Sequence, residues 1–588
     1  MRKILLVALN AKYSHTSLAV RKLCNALSAS GIPAAFAEYT INQPVQELLS
    51  SLAAAAPDML LFSCYIWNIQ LVQRLGADFR KLFPQADILL GGPEVSFEAE
   101  ALLARMPWAD AILCGEGEEL LPQLLQTQQH PRGVYHPKRN VILREQPFAY
   151  PDLDKLQNRV LYYESTRGCF YGCAYCLSSA DREVRPLPLP HVFADLQRFL
   201  DARVMQVKFV DRTFNQLEGR ALAIWQYLIE HDNGVTSFQM ELGGDLFTQE
   251  QLDLLRTARA GLFQFEIGVQ STCKEALRLA ARPTNFAKLK WAVGQIRAMG
   301  NIHQHLDLIA GLPGEGFAQF MQSYNEVFAL QPEQLQLGFL KLLRGSRLWA
   351  QREALGLLHS DAPPYEILQT PQLTYGELAR IKRVEEMTER YYNSGRFTHS
   401  LRYTLQFCRS PFEGLLALGE TMPTGAIGKY AYYELLHQFC VAQGGDAEKC
   451  RWLLKYDLCL HERPRKLPAC CPENVLPPQW RRYLAEQFAH QNVHLELFPL
   501  DVTDPALPQQ QTPLLFDYRT KVRRARLCNL SCPDVQEFRP PSETPMTPRC
   551  SPDGSPALVA AHPMEGEQRV PLHEPPQMCR SFGPRPKL

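Results

Sequence analysis

The chain has 588 residues, too many for one hydrophobic core, so three domains and a tail are the expected division. Apolar residues make up 46% and charged ones 21%, an ordinary globular composition, and a formal charge of +1 gives no whole-chain case for an anionic membrane or a nucleic-acid partner. No run of eighteen apolar residues is present, so no membrane span is expected, and 17 scattered cysteines point to a reducing, cytoplasmic setting. The first apolar run stops at Leu9, with Asn10 and Lys12 directly after it, so it reads as a buried strand rather than a leader peptide.

Residues 1–140 alternate short apolar runs with helical patterns: Lys3 to Leu9, Ser17 to Ala29 closed by Gly31, Ala34 to Tyr39, Met59 to Cys64, Ile88 to Leu90 and Ala111 to Cys114. Five strands separated by helices predict an α/β, doubly wound, flavodoxin-like (Rossmann-type) parallel sheet. Ligands of such sheets sit at the carboxyl ends of the strands. There the sequence offers Asn10, then Ser63, then Gly91 and Gly92, then Gly115, Glu116 and Gly117. Glycine permits close backbone approach, and each following helix start offers unpaired N–H groups to an anion. Tight strand-to-helix turns need glycine as well, so alone these residues leave a structural and a binding role open.

Next comes Glu164-Ser-Thr-Arg-Gly-Cys-Phe-Tyr-Gly-Cys-Ala-Tyr-Cys176, which sets Cys169, Cys173 and Cys176 at the spacing C-x3-C-x2-C between Gly168 and Gly172. Three thiolates on one tight loop each reach a different iron of a cuboidal cluster, and the missing fourth cysteine leaves one iron open. Zinc sites pair C-x2-C with a second Cys or His pair, and nothing of that form follows before Cys273.

This loop resembles the cluster-binding signature of the radical S-adenosylmethionine (SAM) superfamily. The resemblance implies that Cys169, Cys173 and Cys176 ligate a [4Fe-4S] cluster, that the open iron is chelated by the amino and carboxylate groups of SAM, and that one electron then yields a 5'-deoxyadenosyl radical. It also implies that Tyr175 lies against the adenine side, and that a one-electron donor of flavodoxin or ferredoxin type is needed. A flavodoxin-like sheet directly before such a loop resembles the cobalamin (B12)-binding domain fused to many radical SAM enzymes. That resemblance implies that Asn10, Ser63, Gly91, Gly92, Gly115, Glu116 and Gly117 cradle cobalamin. The D-x-H-x-x-G pattern that supplies an axial histidine in some cobalamin proteins is absent, so the first loop is expected to give none, and His15 reads as an ordinary residue at a helix start.

Residues 155–350 give six further strands, Val160 to Thr166, Met205 to Val210, Ser237 to Leu242, Phe263 to Val269, His305 to Ile309 and Leu335 to Leu340, with amphipathic segments such as Leu217 to Glu230 and Phe317 to Phe328 between them. They predict a partial (β/α)6 barrel with its site at the carboxyl ends of the strands. Polar residues gather at those ends: Asp211, Arg212 and Asn215; Glu241; Glu266, Gln270 and Ser271; His303, His305 and Asp307; then Ile309-Ala-Gly-Leu-Pro-Gly-Glu315. The family resemblance implies that Asp211 marks where the SAM amino group is held, that Glu241 and Gln270 contact ribose or carboxylate, and that the stretch with Ile309 and Gly311 packs on the adenine. An inward carboxylate also serves as half of a structural ion pair, or as a proton acceptor for the substrate.

Residues 365–515 predict a mostly helical domain: Thr374-Tyr-Gly-Glu377 forms a capping box ahead of Leu378, Ile381, Val384, Met387 and Tyr391, with Gly395 as a stop, and helical patterns recur over Tyr430 to Cys440 and Glu448 to Lys455. The arrangement resembles the DUF4080-like extension of one group of cobalamin-binding radical SAM proteins. Cys450, Cys459, Cys470 and Cys471 are irregularly spaced and read as ordinary thiols rather than an auxiliary cluster. In residues 516–588 the basic run Arg519 to Arg526 reads as solvated, and the proline-rich stretch from Gln536 reads as a disordered tail or a non-native continuation.

The function expected is a radical SAM enzyme that binds a [4Fe-4S] cluster, SAM and cobalamin and methylates an unactivated carbon or phosphorus centre. Two alternatives stand beside it: radical chemistry without cobalamin, as in methylthiolation, with the first sheet serving a tRNA or protein partner; and a non-catalytic cobalamin or redox sensor.

Overall fold

A computed structural model of the chain describes residues 2–143, 146–423, 425–473, 476–488, 491–499, 512–518 and 524–527. The first sheet contains β1 (Ile4–Asn10), β2 (Ala35–Thr40), β3 (Met59–Ser63), β4 (Asp87–Gly91), β5 (Ala111–Leu113) and β6 (Gly133–Tyr135), all parallel in the order β2-β1-β3-β4-β5-β6. β1 is buried along its whole length because both faces are covered. Leu5, Val7 and Leu9 pack with Ile69, Val72 and Phe79 on one side, while Ile4, Leu6 and Ala8 pack with Val20, Leu27 and Leu121 on the other. Five strands were expected here and six are present. The sixth has three half-buried residues and closes an edge, so it carries too short an apolar pattern to announce itself.

The second sheet contains β7 (Val160–Tyr163), and the chain then makes a short antiparallel pair, β8 (Thr166–Arg167) with β9 (Arg185–Pro186), before returning to the sheet as β10 (Gln206–Phe209), β11 (Ser237–Leu242), β12 (Phe263–Gln270), β13 (His303–Ala310) and β14 (Gln334–Phe339). Its order is strictly sequential, β14-β13-β12-β11-β10-β7, and every pair is parallel. This is the open, six-stranded partial barrel the alternation predicted. β12 and β13 alternate buried and half-buried residues along eight positions each. The buried set, Phe263, Phe265, Ile267, Leu306 and Leu308 among them, packs on the crossover helices through Trp225, Leu289 and Phe320. The run expected from Val160 to Thr166 divides into β7 and β8, because the thiol loop turns away from the sheet at Glu164.

Helices dominate the C-terminal part. Thr374 accepts a hydrogen bond from Glu377 N and the Glu377 carboxylate takes the Thr374 N–H, completing the capping box, and Leu378, Ile381, Val384, Met387 and Tyr391 are all buried. Helices Thr398–Leu405, Pro411–Glu420, Ala431–Ala442, Ala447–His461 and Pro478–Gln487 follow. A three-stranded antiparallel sheet of β17 (Val493–Phe498), β18 (Thr512–Asp517) and β19 (Arg524–Leu527), numbered after the small hairpin β15 (Leu358–His359) and β16 (Ile367–Gln369), was not expected; it packs Phe498, Leu514 and Phe516 against Tyr456 and Cys459. Of the basic run, residues 519–523 lie outside the described residues, and its remainder lies in β19; the proline-rich tail lies wholly outside the described residues. No helix among the described residues is long and apolar enough to cross a membrane.

Trp225 is fully buried between its crossover helix and the sheet, where it stacks on Phe247 and donates to the Met240 sulfur. Trp225→Ala is expected to lower unfolding free energy by about 3–5 kcal/mol, read from the urea midpoint. A loss under about 1 kcal/mol would contradict this account of the core.

Candidate functional site: a thiol loop facing a glycine-lined cavity

The β8–β9 pair forms the neck of the thiol loop, with Thr166 opposite Pro186 and Arg167 opposite Arg185. Gly168 has φ +90°, and a Cβ there would lie 1.9 Å from the Glu183 carbonyl oxygen, so the tight exit from the neck requires glycine. Beyond it the loop is tied to distant parts of the chain: Ala174 N donates to Ala280 O at 2.8 Å, Leu348 N to Ala174 O at 2.8 Å and Arg347 Nη2 to Gly172 O at 3.0 Å. Cys169 and Cys173 are buried, Cys176 is half-buried, and the three gather with Tyr171 and Tyr175 in one cluster. The 13 described cysteines are all free thiols.

The thiols open on a cavity of about 170 Å³ whose other walls include Tyr175, Arg212, Thr213, Glu241, Glu266, Gln270, Arg282 and Asp307. Arg282 is buried, its Nη1 lies 3.9 Å from Cys173 Sγ, and its guanidinium stands 3.8 Å over the Tyr171 ring. Burial pushes the Cys173 thiol up and the nearby Arg282 charge opposes that. Thr213 Oγ1 lies 3.5 Å from Cys169 Sγ. Gln270, at the end of β12 beside a register shift, has φ +69°, a left-handed conformation that a non-glycine residue holds only when its surroundings enforce it. Two polar atoms at this cavity, Arg282 Nε and Asp307 Oδ1, are buried without a hydrogen-bond partner. Burial, reinforced by Glu266 and Glu241, holds the Asp307 carboxyl well above the usual range.

A larger cavity of about 490 Å³ adjoins it. One wall is made by the carboxyl ends of the first sheet, with Ser63, Tyr65, Gly91, Gly92, Gly115, Glu116 and Gly117; the other is made by the loop neck and second sheet, with Arg167, Gly168, Leu177, Ser178 and Arg212. Ser178 and Arg212 line both cavities, so the two spaces meet there. Gly92 has φ +110°, and a Cβ on it would lie 2.5 Å from Cys64 O, so only glycine fits this wall. No histidine is among the lining residues. His15 instead sits with its Nδ1 at 2.6 Å from the Tyr162 hydroxyl.

The structure brings Tyr175, Glu241 and Gln270 together around the thiols, and Ser63, Gly91, Gly92, Gly115, Glu116 and Gly117 around the larger cavity. It does not bring four other predicted residues to either lining. Asp211 is buried under the loop, where its carboxylate accepts from Ser165 N at 2.8 Å and Ser165 Oγ at 2.6 Å; burial, opposed by these bonds, raises it to about 6. Ile309 is a half-buried residue packed at the edge of the core, and Gly311 packs against Ile367. Asn10 donates to His15 O at 3.0 Å. Sequence reasoning missed Arg282, Thr213 and Arg167. Arg282 had no local signal, since it follows a short helix and nears the thiols only through the fold. Cys450, Cys459, Cys470 and Cys471 are buried, and Cys459 lies with His494 and Glu496.

Three family models match the chain: a B12-binding domain over residues 4–125, the radical SAM superfamily over residues 163–327, and a protein of unknown function (DUF4080) over residues 353–516. The matched segments therefore define a radical SAM region, with a B12-binding domain ahead of it and a DUF4080 region behind it. Among curated proteins it is similar to the cobalamin-dependent radical SAM methyltransferase TokK of Streptomyces tokunonensis, 25% identical over 324 residues, covering 47% of this chain and 45% of that protein. The chain spans about half the length of the first curated relatives it matches. Among solved structures it shares its fold with the radical SAM methyltransferase TsrM from Kitasatospora setae with cobalamin and [4Fe-4S] cluster bound, at TM-score 0.52 and 16% identity over 62% of this chain and 78% of that one. It also shares it with the cobalamin-dependent enzyme OxsB with aqua-cobalamin bound, at TM-score 0.53 and 14% identity over 78% of this chain and 80% of that one.

Two predictions follow from the electrostatics. Arg167 lies 2.7 Å from both Glu118 and Glu164 and 3.2 Å from Glu116, so Arg167→Met leaves carboxylates buried without their cation; unfolding free energy is expected to fall by about 3–5 kcal/mol, measured by urea denaturation. Glu315, in the segment after β13, is buried and accepts from Ser271 Oγ at 2.6 Å and Ser323 Oγ at 2.9 Å; burial, opposed by these bonds, raises it to about 7. The folded state therefore holds this proton more tightly than the unfolded chain. Its contribution is full below about pH 4.3 and is lost, by roughly 3 kcal/mol, as pH rises through about 7. Glu315→Gln should narrow that pH dependence, and an unchanged difference between pH 5 and pH 8 would refute the assignment.

Proposed function

We propose that the chain is a cytoplasmic radical SAM enzyme that binds a [4Fe-4S] cluster, SAM and cobalamin and methylates an unactivated centre of its substrate. The observation that carries this reading is the junction of the two cavities: three free thiols on one loop open toward the same space as a glycine-lined wall at the strand ends of the first sheet. When bound, the cluster and SAM supply one-electron radical chemistry and cobalamin supplies methyl transfer.

Cys169, Cys173 and Cys176 would hold the cluster, which would supply one-electron chemistry there. Arg282 places a buried cation against the Cys173 sulfur, offsetting thiolate charge, and its Nε is left without a hydrogen-bond partner. Tyr175, Glu241, Gln270 and Asp307 stand around the same cavity with the hydroxyl, amide and carboxyl groups that an amino group and a ribose require. Asp211, Ile309, Gly311 and Asn10 act one step back: Asp211 fixes Ser165 at the root of the loop, Ile309 and Gly311 shape its surroundings, and Asn10 holds the first loop to His15. Ser63, Gly91, Gly92, Gly115, Glu116 and Gly117 would form the wall that holds cobalamin. The division of labour follows the chain: residues 1–140 for cobalamin, 155–350 for cluster and SAM, 365–515 as a mostly helical cap. A small one-electron donor of flavodoxin or ferredoxin type completes the system.

Anaerobic purification with cluster and cobalamin reconstitution, followed by optical and EPR spectra with and without SAM, tests the proposal. Cys173→Ala is expected to abolish both the cluster signal and SAM cleavage, while Cys470→Ala keeps both. Iron with no corrinoid would favour the methylthiolation alternative; zinc in place of iron would end the radical reading.

A further inference from the structure

The face of the second sheet that lines the thiol cavity at Glu266 stays hydrophilic toward the amino ends of the strands. Along β10 to β13 every second residue is buried against the helices, and the alternate set facing the other way includes Lys208, Gln239, Gln264, Glu266, His303 and His305, with Ile309 as its one large apolar member. In a closed barrel such inward rows are filled by Val, Ile and Leu from the strands themselves. Here the side chains are polar, half-buried and paired laterally. Lys208 Nζ lies 3.1 Å from Glu266 Oε2, Gln239 Nε2 donates to the same oxygen at 2.9 Å, Gln264 Nε2 and His305 Nε2 are 2.9 Å apart, and the His303 and His305 rings stand 4.8 Å centre to centre. The same parity leads upward to Glu241 and Asp307 in the thiol cavity, where Asp307 Oδ1 lacks a partner.

The charge on this floor cancels. Lys208 and Glu266 neutralise each other. Burial, then the neighbouring His303, lowers His305 to about 4, and burial lowers His303, so both imidazoles are neutral at pH 7. A neutral imidazole pair with amides and one ion pair offers donors and acceptors in alternation and no net attraction for either sign. An alkyl chain laid on it would desolvate these groups without replacing their hydrogen bonds.

We propose that this floor is the substrate-recognition surface, and that the substrate is a small polar molecule read by hydrogen bonds to Gln264, His303 and His305 rather than a lipid or a macromolecule. The inference rests on the radical SAM reading and adds the substrate class to it.

Cells that natively make the protein, grown in D2O, give an extract that is divided into polar small-molecule, lipid and macromolecular fractions. Each fraction is incubated with the reconstituted holoprotein, SAM and a reductant. Mass spectrometry of the 5'-deoxyadenosine formed then reports deuterium taken from substrate without the substrate being known. Deuterium is expected from the polar small-molecule fraction, with transfer reduced at least about ten-fold in His305→Leu and kept within about three-fold in His305→Gln, whose amide restores a partner for Gln264. The cluster's optical spectrum in each variant controls for folding. Transfer from the lipid or macromolecular fraction alone, 5'-deoxyadenosine without deuterium from any fraction, or wild-type transfer by His305→Leu overturns the inference while the radical reading stands. A reconstituted protein that forms no 5'-deoxyadenosine overturns both.

Discussion

One guanidinium joins the thiol loop to the first sheet. Arg167 sits at the neck of the thiol loop and reaches Glu164 on its own segment, and Glu116 and Glu118 at the start of the helix Gly117–Thr127 on the first sheet. Lys22, from the helix Leu18–Ala29, joins through Glu164, and Arg185, across the neck, joins through Glu116 at 2.5 Å. Burial alone would raise the Glu164 carboxyl, but Lys22 and Arg167 overcome it and hold the group well below the usual range. Such a network adds little net stability over a hydrophobic replacement, because desolvation offsets most of the Coulomb gain. What it supplies is registry: it fixes the thiol loop at one angle to the glycine wall, which apolar contacts would leave free to slide.

Backbone strain lies at the rim of the thiol cavity. Gln270 holds a left-handed backbone at the end of β12, and Gly268 beside it has no side chain; a Cβ there would lie 2.1 Å from Gln270 Nε2, so the glycine leaves room for the amide to fold back. Gly92 does the same work on the opposite wall against Cys64 O. Strained backbone at the rim of a cavity, with regular strands behind it, is the pattern expected of a surface shaped for something other than its own packing.

Much of this was legible in the sequence. The strands of both sheets were visible as short apolar or alternating runs, and the thiol loop carried its chemistry in its spacing. Asp211 and Asp307 show where that legibility ends. Both are single carboxylates at strand ends, yet Asp211 lies beyond β10 and turns under Ser165, while Asp307 lies within β13 and shares the parity of His303 and His305. Parity within the strand separates the two, and position near the strand end does not. Arg282 could not be found this way, since its role comes from a long-range approach to Cys173 with no local pattern. β17 was overlooked although Val493-His-Leu-Glu-Leu-Phe498 alternates, because its partners lie far along the chain and the neighbouring segments are helical.

The sequential order of the second sheet lets each strand dock beside the one made just before it, so this part of the chain is suited to assembly from its amino end onward. The thiol loop leaves the first of those strands but is fastened only later, when Ala280 accepts from Ala174 and Leu348 donates to it. A nascent chain would therefore expose its three sulfurs for the time needed to synthesise well over a hundred further residues. Burial of those sulfurs therefore waits on a nearly finished barrel.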